Sequence, residues 1–269
     1  MKELKDALKK YDEPRRTAIV YSDEVEEYSE VETVDDYPVN IFLSREGYFK
    51  KITPLSLRMG GEQKYKENDG PFLSFEATNA SELLVFTDKQ QVYKTRASEF
   101  SDTKASVLGS YLPTVLNMDE GENVVYLLTP GDYSGSVMFF FENGKAARIP
   151  LSSYATKTNR KKLSGAYSDK SPLVSVVELS DDDEVAAYST DNRCLVFSTA
   201  LTIPKASRTA QGVAVMALKK KFVLRDARLL ASTNIKNISR YRVRTLPAAG
   251  ALLKEEDMEE QQIQIDGME

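Results

Sequence analysis

Four segments of this chain share one pattern: an apolar strand, a short polar turn, a second strand, and a loop that carries glycine and basic residues. The hairpins lie at Ile41–Ile52, Leu83–Lys94, Val137–Ile149 and Val185–Phe197, and turn positions 47, 90, 144 and 192 are 43, 54 and 48 residues apart. One hairpin cannot bury its own apolar face, so the copies must stack. The pattern predicts an all-β, propeller-like ring of about five four-stranded blades.

The residue types that are missing exclude several kinds of site. The chain has no histidine, so Ser-His-Asp and Cys-His catalysis and the usual Cys/His zinc sites are excluded. The one cysteine, Cys194, excludes an internal disulfide and is expected to be a small buried hydrophobic residue. The acidic run Asp181–Glu184 is expected to form a solvated turn, although a metal-dependent enzyme is the alternative that it leaves open. No apolar run approaches the ~20 residues that span a bilayer, so no membrane partner is expected.

Charge is distributed unevenly along the chain. Residues 1–44 contain 6 basic and 12 acidic residues, and residues 245–269 contain 1 and 7. Residues 45–244 contain 29 basic and 22 acidic residues, a balance of +7, although the whole chain has a net charge of −5. A basic body between acidic ends is typical of a nucleic-acid-binding surface with acidic flanks. An ordinary solvated surface is the alternative.

The loops after the hairpins sharpen this prediction. Equivalent loops of a ring lie at equivalent places on its perimeter, where basic groups would form a curved track for the phosphates of bent duplex DNA. The loop Lys157–Lys162, with four basic groups in six residues, is expected to make the strongest contact, and the Lys219–Lys221 cluster is the reserve candidate. The predicted DNA-binding residues are Arg58, Lys64, Lys66, Lys104, Lys157, Arg160, Lys161, Lys162, Lys205 and Arg208 in the loops and Lys51, Lys94 and Arg148 in the second strands of the hairpins.

Three segments resemble a known family. Arg45–Thr53, Ala155–Lys161 and Thr209–Val213 resemble the C-terminal domain of bacterial type IIA topoisomerase A subunits, those of DNA gyrase and topoisomerase IV. Glu13–Thr17 is similar to the short basic link that joins this domain to the long helix of those subunits. The resemblance implies a β-pinwheel, a propeller with strand exchange between blades, whose rim binds and bends duplex DNA. It also implies no catalytic residue, cofactor or small-molecule substrate.

Residue patterns and the resemblance together predict an organisation and a setting. Residues 1–16 would be the end of the linking helix and the link, with helix over residues 2–10, and 17–39 an acidic linker. Thr17–Tyr21 in that linker would be a possible ring-closing strand. Residues 40–248 would be the pinwheel and 249–269 an acidic tail. The expected partners, besides DNA, are the ATP-binding B subunit together with the rest of the A subunit, in the cytoplasm at the nucleoid.

One motif departs from the family pattern. Gyrases carry a box of the form Q-R-R-G-G-x-G in the loop of the first blade, which tight DNA wrapping requires. In this chain the aligned segment is a degenerate box, formed by Arg58, Gly60, Gly61 and Lys64. Glu62 adds a negative charge to it. The departure favours a topoisomerase IV-like role over full gyrase-type wrapping. A propeller that binds other proteins, with merely solvated basic loops, remains the alternative function.

Overall fold

The computed structural model describes residues 2–11, 34–156 and 161–257. The chain divides into two compact units, Met1–Val34 and Asp35–Glu269. The first contains helix α1 (Lys2–Tyr11), which confirms the helix predicted for residues 2–10. The link Glu13–Thr17, the possible strand Thr17–Tyr21 and the tail beyond residue 257 lie outside the described residues.

In the described part of the second unit, β-strands are the main regular elements. In chain order they are β1 (Pro38–Ser44), β2 (Tyr48–Ile52), β3 (Pro71–Thr78), β4 (Glu82–Thr87), β5 (Gln91–Arg96), β6 (Ser110–Tyr111), β7 (Val124–Leu128), β8 (Ser136–Phe141), β9 (Lys145–Pro150), β10 (Lys162–Ser164), β11 (Leu173–Leu179), β12 (Glu184–Ser189), β13 (Arg193–Ser198), β14 (Val213–Ala214), β15 (Leu224–Leu229) and β16 (Ala251–Leu252). Three short helices interrupt them, namely α2 (Pro54–Met59), α3 (Leu112–Val115) and α4 (Ile238–Tyr241). No helix in the described ranges is long and apolar enough to cross a membrane.

The strands form four antiparallel sheets, each built around one of the predicted hairpins. Their strand orders are β3-β1-β2-β6, β10-β5-β4-β7, β11-β8-β9-β14 and β15-β12-β13-β16. We call these sheets the first to fourth blades. The propeller-like fold is therefore confirmed, with four blades in the described residues where about five were expected. Loops and very short outer strands occupy the length that a fifth blade would need.

Neighbouring blades exchange a strand. After the hairpin β4-β5 of the second blade, the chain returns to the first blade, where β6 pairs with β2. It then comes back to the second blade, where β7 pairs with β4. The third and fourth blades give up β10 and β14 to the preceding blade in the same way. This connection links each blade covalently to the next and is the strand exchange expected of a pinwheel.

Stacked blades bury the apolar residues on both faces of the middle sheets. Phe139 of β8 packs against Phe86 of the second blade, with ring centroids 5.6 Å apart. Its neighbour Phe140 points to the opposite face and packs against Phe197 of the fourth blade at 6.5 Å. Successive strand residues face opposite sides, so a strand buried on both sides needs a continuous apolar run. The run Val137–Phe141 is that run, and all five of its residues are buried.

The free face of the fourth blade is covered by the C-terminal segment. Tyr188 and Cys194 pack there with Ile235 and Tyr241. Asp257 accepts hydrogen bonds from the Tyr241 hydroxyl at 2.8 Å and from the backbone N–H of Lys236 at 2.7 Å. Contacts with the blade therefore extend to Asp257, within the segment 249–269 that was expected to be an acidic tail. A two-residue strand such as β16 is too short to leave a periodic signal in the sequence.

The single cysteine lies in this covered face. Cys194 is fully buried, as expected, and burial raises the pKa of its thiol to about 12, with the nearby Asp257 charge adding to the shift. The thiol is the nucleophile only when ionised. At neutral pH the residue is therefore a packing group.

In each blade the first hairpin strand also pairs with an edge strand, which we call the third strand (β3, β7, β11 or β15), and the second hairpin strand pairs with the fourth strand (β6, β10, β14 or β16). The third strands mark the inner edge of the array. Ser175 of β11 donates a hydrogen bond to Asp226 of β15 at 3.0 Å, and the N–H of Ala227 donates to Ser175 at 2.9 Å. Between the second and third blades, Tyr126 of β7 lies beside Glu178 of β11, and burial followed by this negative charge raises the pKa of Tyr126 to about 12. The third strands of adjacent blades thus converge. The fourth strands and the loops that lead to them lie at the opposite sheet edges, which form the rim.

Candidate nucleic-acid interface

Within the described residues, the rim consists of four loops held at the same place in each blade. We call them return loops 1 to 4; their described residues are 97–109, 151–156 with 161, 199–212 and 230–250, and each loop precedes a fourth strand. Each loop forms a backbone hydrogen bond with the second hairpin strand of a blade, which is β2, β5, β9 or β13. The bonded residue has the same position in each of these strands. The pairs are Thr103 N–H to Lys51 O (2.7 Å), Lys94 N–H to Lys161 O (2.9 Å), Lys205 N–H to Arg148 O (2.8 Å) and Val243 N–H to Val196 O (2.8 Å). Equivalent loops therefore occupy equivalent positions along the rim.

Only part of the predicted basic set is exposed without an acidic partner. Arg58, Lys64, Lys104 and Lys161 have exposed side chains and form no ion pair within the described residues. Lys66 and Lys162 are also exposed, but Lys66 binds Glu46 at 2.8 Å and Lys162 binds Asp119 at 3.0 Å. Lys157 and Arg160 lie outside the described residues. The unpaired cations are the ones whose charge stays available to an anionic ligand.

The three predicted strand positions belong to the interior. Lys51 is 2% exposed and binds Asp102 at 3.1 Å, and Lys94 binds Glu82 at 2.9 Å. Arg148 donates to Ser136 at 2.9 Å and also pairs with Asp182. A buried charge needs a partner, and these cations have theirs within the fold. The structure therefore assigns this position to holding blades and return loops together, and these three residues do not form part of the exposed rim.

A pair of single substitutions separates the two roles. Lys51→Ala leaves Asp102 and Asn79 without their buried cation, so we expect the free energy of unfolding to fall by about 2 kcal/mol. Lys104→Ala removes an exposed, unpaired charge from return loop 1, which also contains Asp102. This substitution should change stability by less than about 0.5 kcal/mol. Urea unfolding of both variants measures the difference. Equal stability of the two variants would contradict the interior role of Lys51.

The degenerate box lies against return loop 1. Helix α2 begins at Pro54 after the N-cap Thr53, whose side chain accepts from Ser56 N–H at 3.3 Å. The ammonium group of Lys50, whose pKa is lowered by burial, donates to Lys64 O at 2.7 Å and to Ala105 O at 3.1 Å. A Cβ atom on Gly60 would lie 3.3 Å from the Ala105 Cβ. Glycine at this position thus allows the box and return loop 1 to pack side by side.

Arg208 connects two return loops. It extends from return loop 3 and donates to Ser153 O and Ser164 O, both at 3.4 Å, with its guanidinium 5.8 Å from the centre of the Tyr154 ring. These partners are neutral, so the positive charge of Arg208 is not cancelled. Return loop 3 carries Lys205 and Arg208 and, over residues 202–212, no acidic residue.

Return loop 4 contains basic residues that the sequence analysis missed. Residues 233–250 include Lys236, Arg240, Arg242 and Arg244 and no acidic residue. Arg242 forms a two-pronged pair with Glu184, at 2.7 Å for each bond, whereas Arg240 and Arg244 are exposed and unpaired within the described residues. The alternation of arginine at 240, 242 and 244 was a usable signal. It was overlooked because no fifth hairpin precedes this loop.

The acidic run Asp181–Glu184 and the Lys219–Lys221 cluster both lie outside the return loops. Asp182 and Glu184 of the run bind Arg148 and Arg242, so the run contributes to ion pairs between strands and loops. Lys219–Lys221 are exposed, but they precede Val223, whose carbonyl accepts from the Thr190 N–H of a hairpin turn at 2.9 Å. The lysine cluster is therefore at the hairpin-turn end of the fourth blade and not on the return loops.

Comparison with known proteins agrees with this architecture. The family model of the DNA gyrase C-terminal domain, a β-propeller, matches residues 81–129 and 199–221. The A subunit of DNA gyrase from Mycoplasma pneumoniae is 29% identical over 226 residues, which cover 79% of this chain and 27% of that protein. The A subunit of DNA topoisomerase 4 from Staphylococcus epidermidis is 25% identical over 166 residues, covering 60% and 21%.

A solved structure has the same fold. The crystal structure of the C-terminal domain of DNA topoisomerase IV superimposes with a TM-score of 0.69 at 20% identity, covering 81% of this chain and 73% of that one. The chain spans about a quarter of the length of the curated relatives that it matches. In sequence and in fold, the chain is therefore similar to the C-terminal domains of DNA gyrase and topoisomerase IV A subunits.

Proposed function

We propose that this domain binds and bends duplex DNA along its rim and guides it for strand passage, without catalysing a reaction itself. The observation that carries the proposal is the series of return loops, anchored at one equivalent position in each blade, with unpaired cations on their exposed side. Phosphates along a duplex are evenly spaced and identical, so a repeated series of cations suits them whatever the base sequence.

The relatives suggest the wider setting. In that proposal the domain is one part of a longer A subunit that works with an ATP-binding B subunit, in the cytoplasm at the nucleoid. The DNA-cleaving tyrosine and the ATPase would belong to those other parts, and the domain would need no cofactor. A box that keeps Gly60 and Gly61 but only one arginine, Arg58, supports a topoisomerase IV-like bend and not complete gyrase-type wrapping.

Binding measured over a range of salt concentrations tests the function. Each phosphate contact releases counterions, so the affinity of this chain for a duplex should fall by orders of magnitude between low and high salt. Duplexes of unrelated sequence should bind with similar affinity, because phosphate contacts carry no base information. Affinity that does not depend on salt, or no binding at low salt, would instead favour a propeller that binds proteins.

A further inference from the structure

The most exposed apolar side chains of the domain are concentrated on its rim. Among the described residues of the second unit, the three most exposed large hydrophobic side chains are Met59 (81%), Ile203 (73%) and Leu55 (67%). Single exposed apolar residues are ordinary on protein surfaces. Here, however, two belong to the box helix beside return loop 1 and the third belongs to return loop 3. The concentration of these side chains on the basic rim therefore needs an explanation.

Ile203 is held outward by its neighbours. Thr202, buried, donates its hydroxyl to Thr199 O at 2.6 Å, and Lys205 N–H donates to Arg148 O at 2.8 Å. Pro204 between these two anchors restricts the backbone further. An apolar side chain presented on an already ordered loop loses little conformational freedom when it binds. The loop therefore displays Ile203 in a fixed position.

The charges beside Ile203 favour an anionic partner. Lys205 and Arg208 follow it, and residues 202–212 contain no acidic residue. Of the acidic run beside the start of the loop, Asp182 is paired with Arg148 and Glu184 with Arg242, while Asp181 and Asp183 stay exposed. An apolar protein partner would need no such cations. A duplex offers both phosphates for the cations and base steps for an apolar group.

We infer that Ile203 is an apolar wedge that enters the minor groove of bound DNA and opens a base step. Proteins that bend DNA commonly insert isoleucine, methionine, leucine or proline in this way, and the partial unstacking produces a kink. Met59, next to Arg58 on α2, offers a similar side chain at the first blade. The inference rests on the proposed function and adds the means by which the DNA is bent.

Substitution of one side chain tests the wedge. We expect Ile203→Ser to lower duplex affinity by about an order of magnitude, because the apolar contact is lost. The slope of affinity against salt should stay the same, because no phosphate contact is removed. Ile203→Met, which keeps an apolar group, should retain the affinity. Val115→Ser provides the matched control, because Val115 is 47% exposed on α3, outside the return loops.

A second readout reports on the base step directly. In a duplex labelled with 2-aminopurine at flexible pyrimidine–purine steps, binding of the unsubstituted chain should raise the fluorescence, and Ile203→Ser should abolish the rise. Equal affinity and equal fluorescence for Ile203→Ser and the unsubstituted chain would overturn the wedge while leaving DNA binding intact. The wedge would also be overturned if the substitution weakened only association with the rest of an A subunit. Failure of the unsubstituted chain to bind any duplex would overturn the proposed function as well.

Discussion

Glutamine in place of Lys161, Arg240 and Arg244 is expected to weaken duplex binding by more than an order of magnitude at low salt. These three cations are exposed and unpaired in the described structure and lie on return loops 2 and 4. If each contacts one phosphate, the slope of log affinity against log salt should become shallower by about 0.9 per residue, or nearly 3 in total. Fluorescence anisotropy with one labelled duplex at several salt concentrations measures both quantities.

The lysine cluster provides a control of equal charge. A variant with Lys219→Gln, Lys220→Gln and Lys221→Gln also loses three exposed cations, but from the hairpin-turn end of the fourth blade. We expect this variant to bind nearly as well as the unsubstituted chain. Should the lysine variant lose more affinity than the rim variant, the DNA path would follow the hairpin-turn ends and the rim proposal would be wrong. Stability should hardly change in either, since exposed charges contribute at most about 1 kcal/mol.

Gly212→Ala is expected to be the most destabilising single substitution on the rim. Gly212 precedes β14 with φ +75°, and a Cβ atom there would lie 2.0 Å from the carbonyl oxygen of Ala146. Gly109 has the same role before β6, where a Cβ atom would lie 2.3 Å from the carbonyl oxygen of Phe49. The added methyl group must push β14 away from β9, and the backbone strain adds to this cost. We expect the free energy of unfolding to fall by about 2–4 kcal/mol.

Gly61→Ala is the matched control for this substitution. A Cβ atom on Gly61 would have no atom within 4 Å, and its backbone is not in the left-handed region. We expect a change of less than about 0.5 kcal/mol in urea unfolding. Gly212→Ala should also weaken DNA binding, because it displaces return loop 3 with Lys205. A Gly212→Ala variant as stable as the Gly61→Ala variant would show that the fourth strands contribute little to the fold.

Local patterns in the sequence were sufficient for the repeating unit. Each blade is built on a hairpin whose two strands are close in the chain, and their alternation of apolar and polar residues can be read directly. The hairpin Val137–Ile149, for example, was predicted from its two apolar strands and the turn between them. Helix α1 and the burial of Cys194 were predicted for the same reason, since both depend on neighbours in the sequence.

Blade number and the short elements depended on contacts between distant residues. Fourth strands of two or three residues, such as β6 and β16, have no periodicity of their own and exist only because an outer strand offers unpaired backbone groups. In the sequence, strands this short could not be distinguished from loops. The expectation of about five blades therefore assigned to a further blade residues that in fact belong to the return loops.

Residue order is enough to show a stack of hairpins with a basic body, because strand periodicity and net charge can both be read from it. Which of the basic groups remain available to a ligand depends on the folded domain. Lys51, Lys94 and Arg148 carry a positive charge like Lys104 and Lys161, yet in the folded domain they are buried or half-buried and paired with Asp102, Glu82 and Asp182. Arg240 and Arg244 reach the rim because the C-terminal segment folds back over the fourth blade. A charge binds a ligand only when folding leaves it exposed and unpaired, and exposure is decided by residues far apart in the chain.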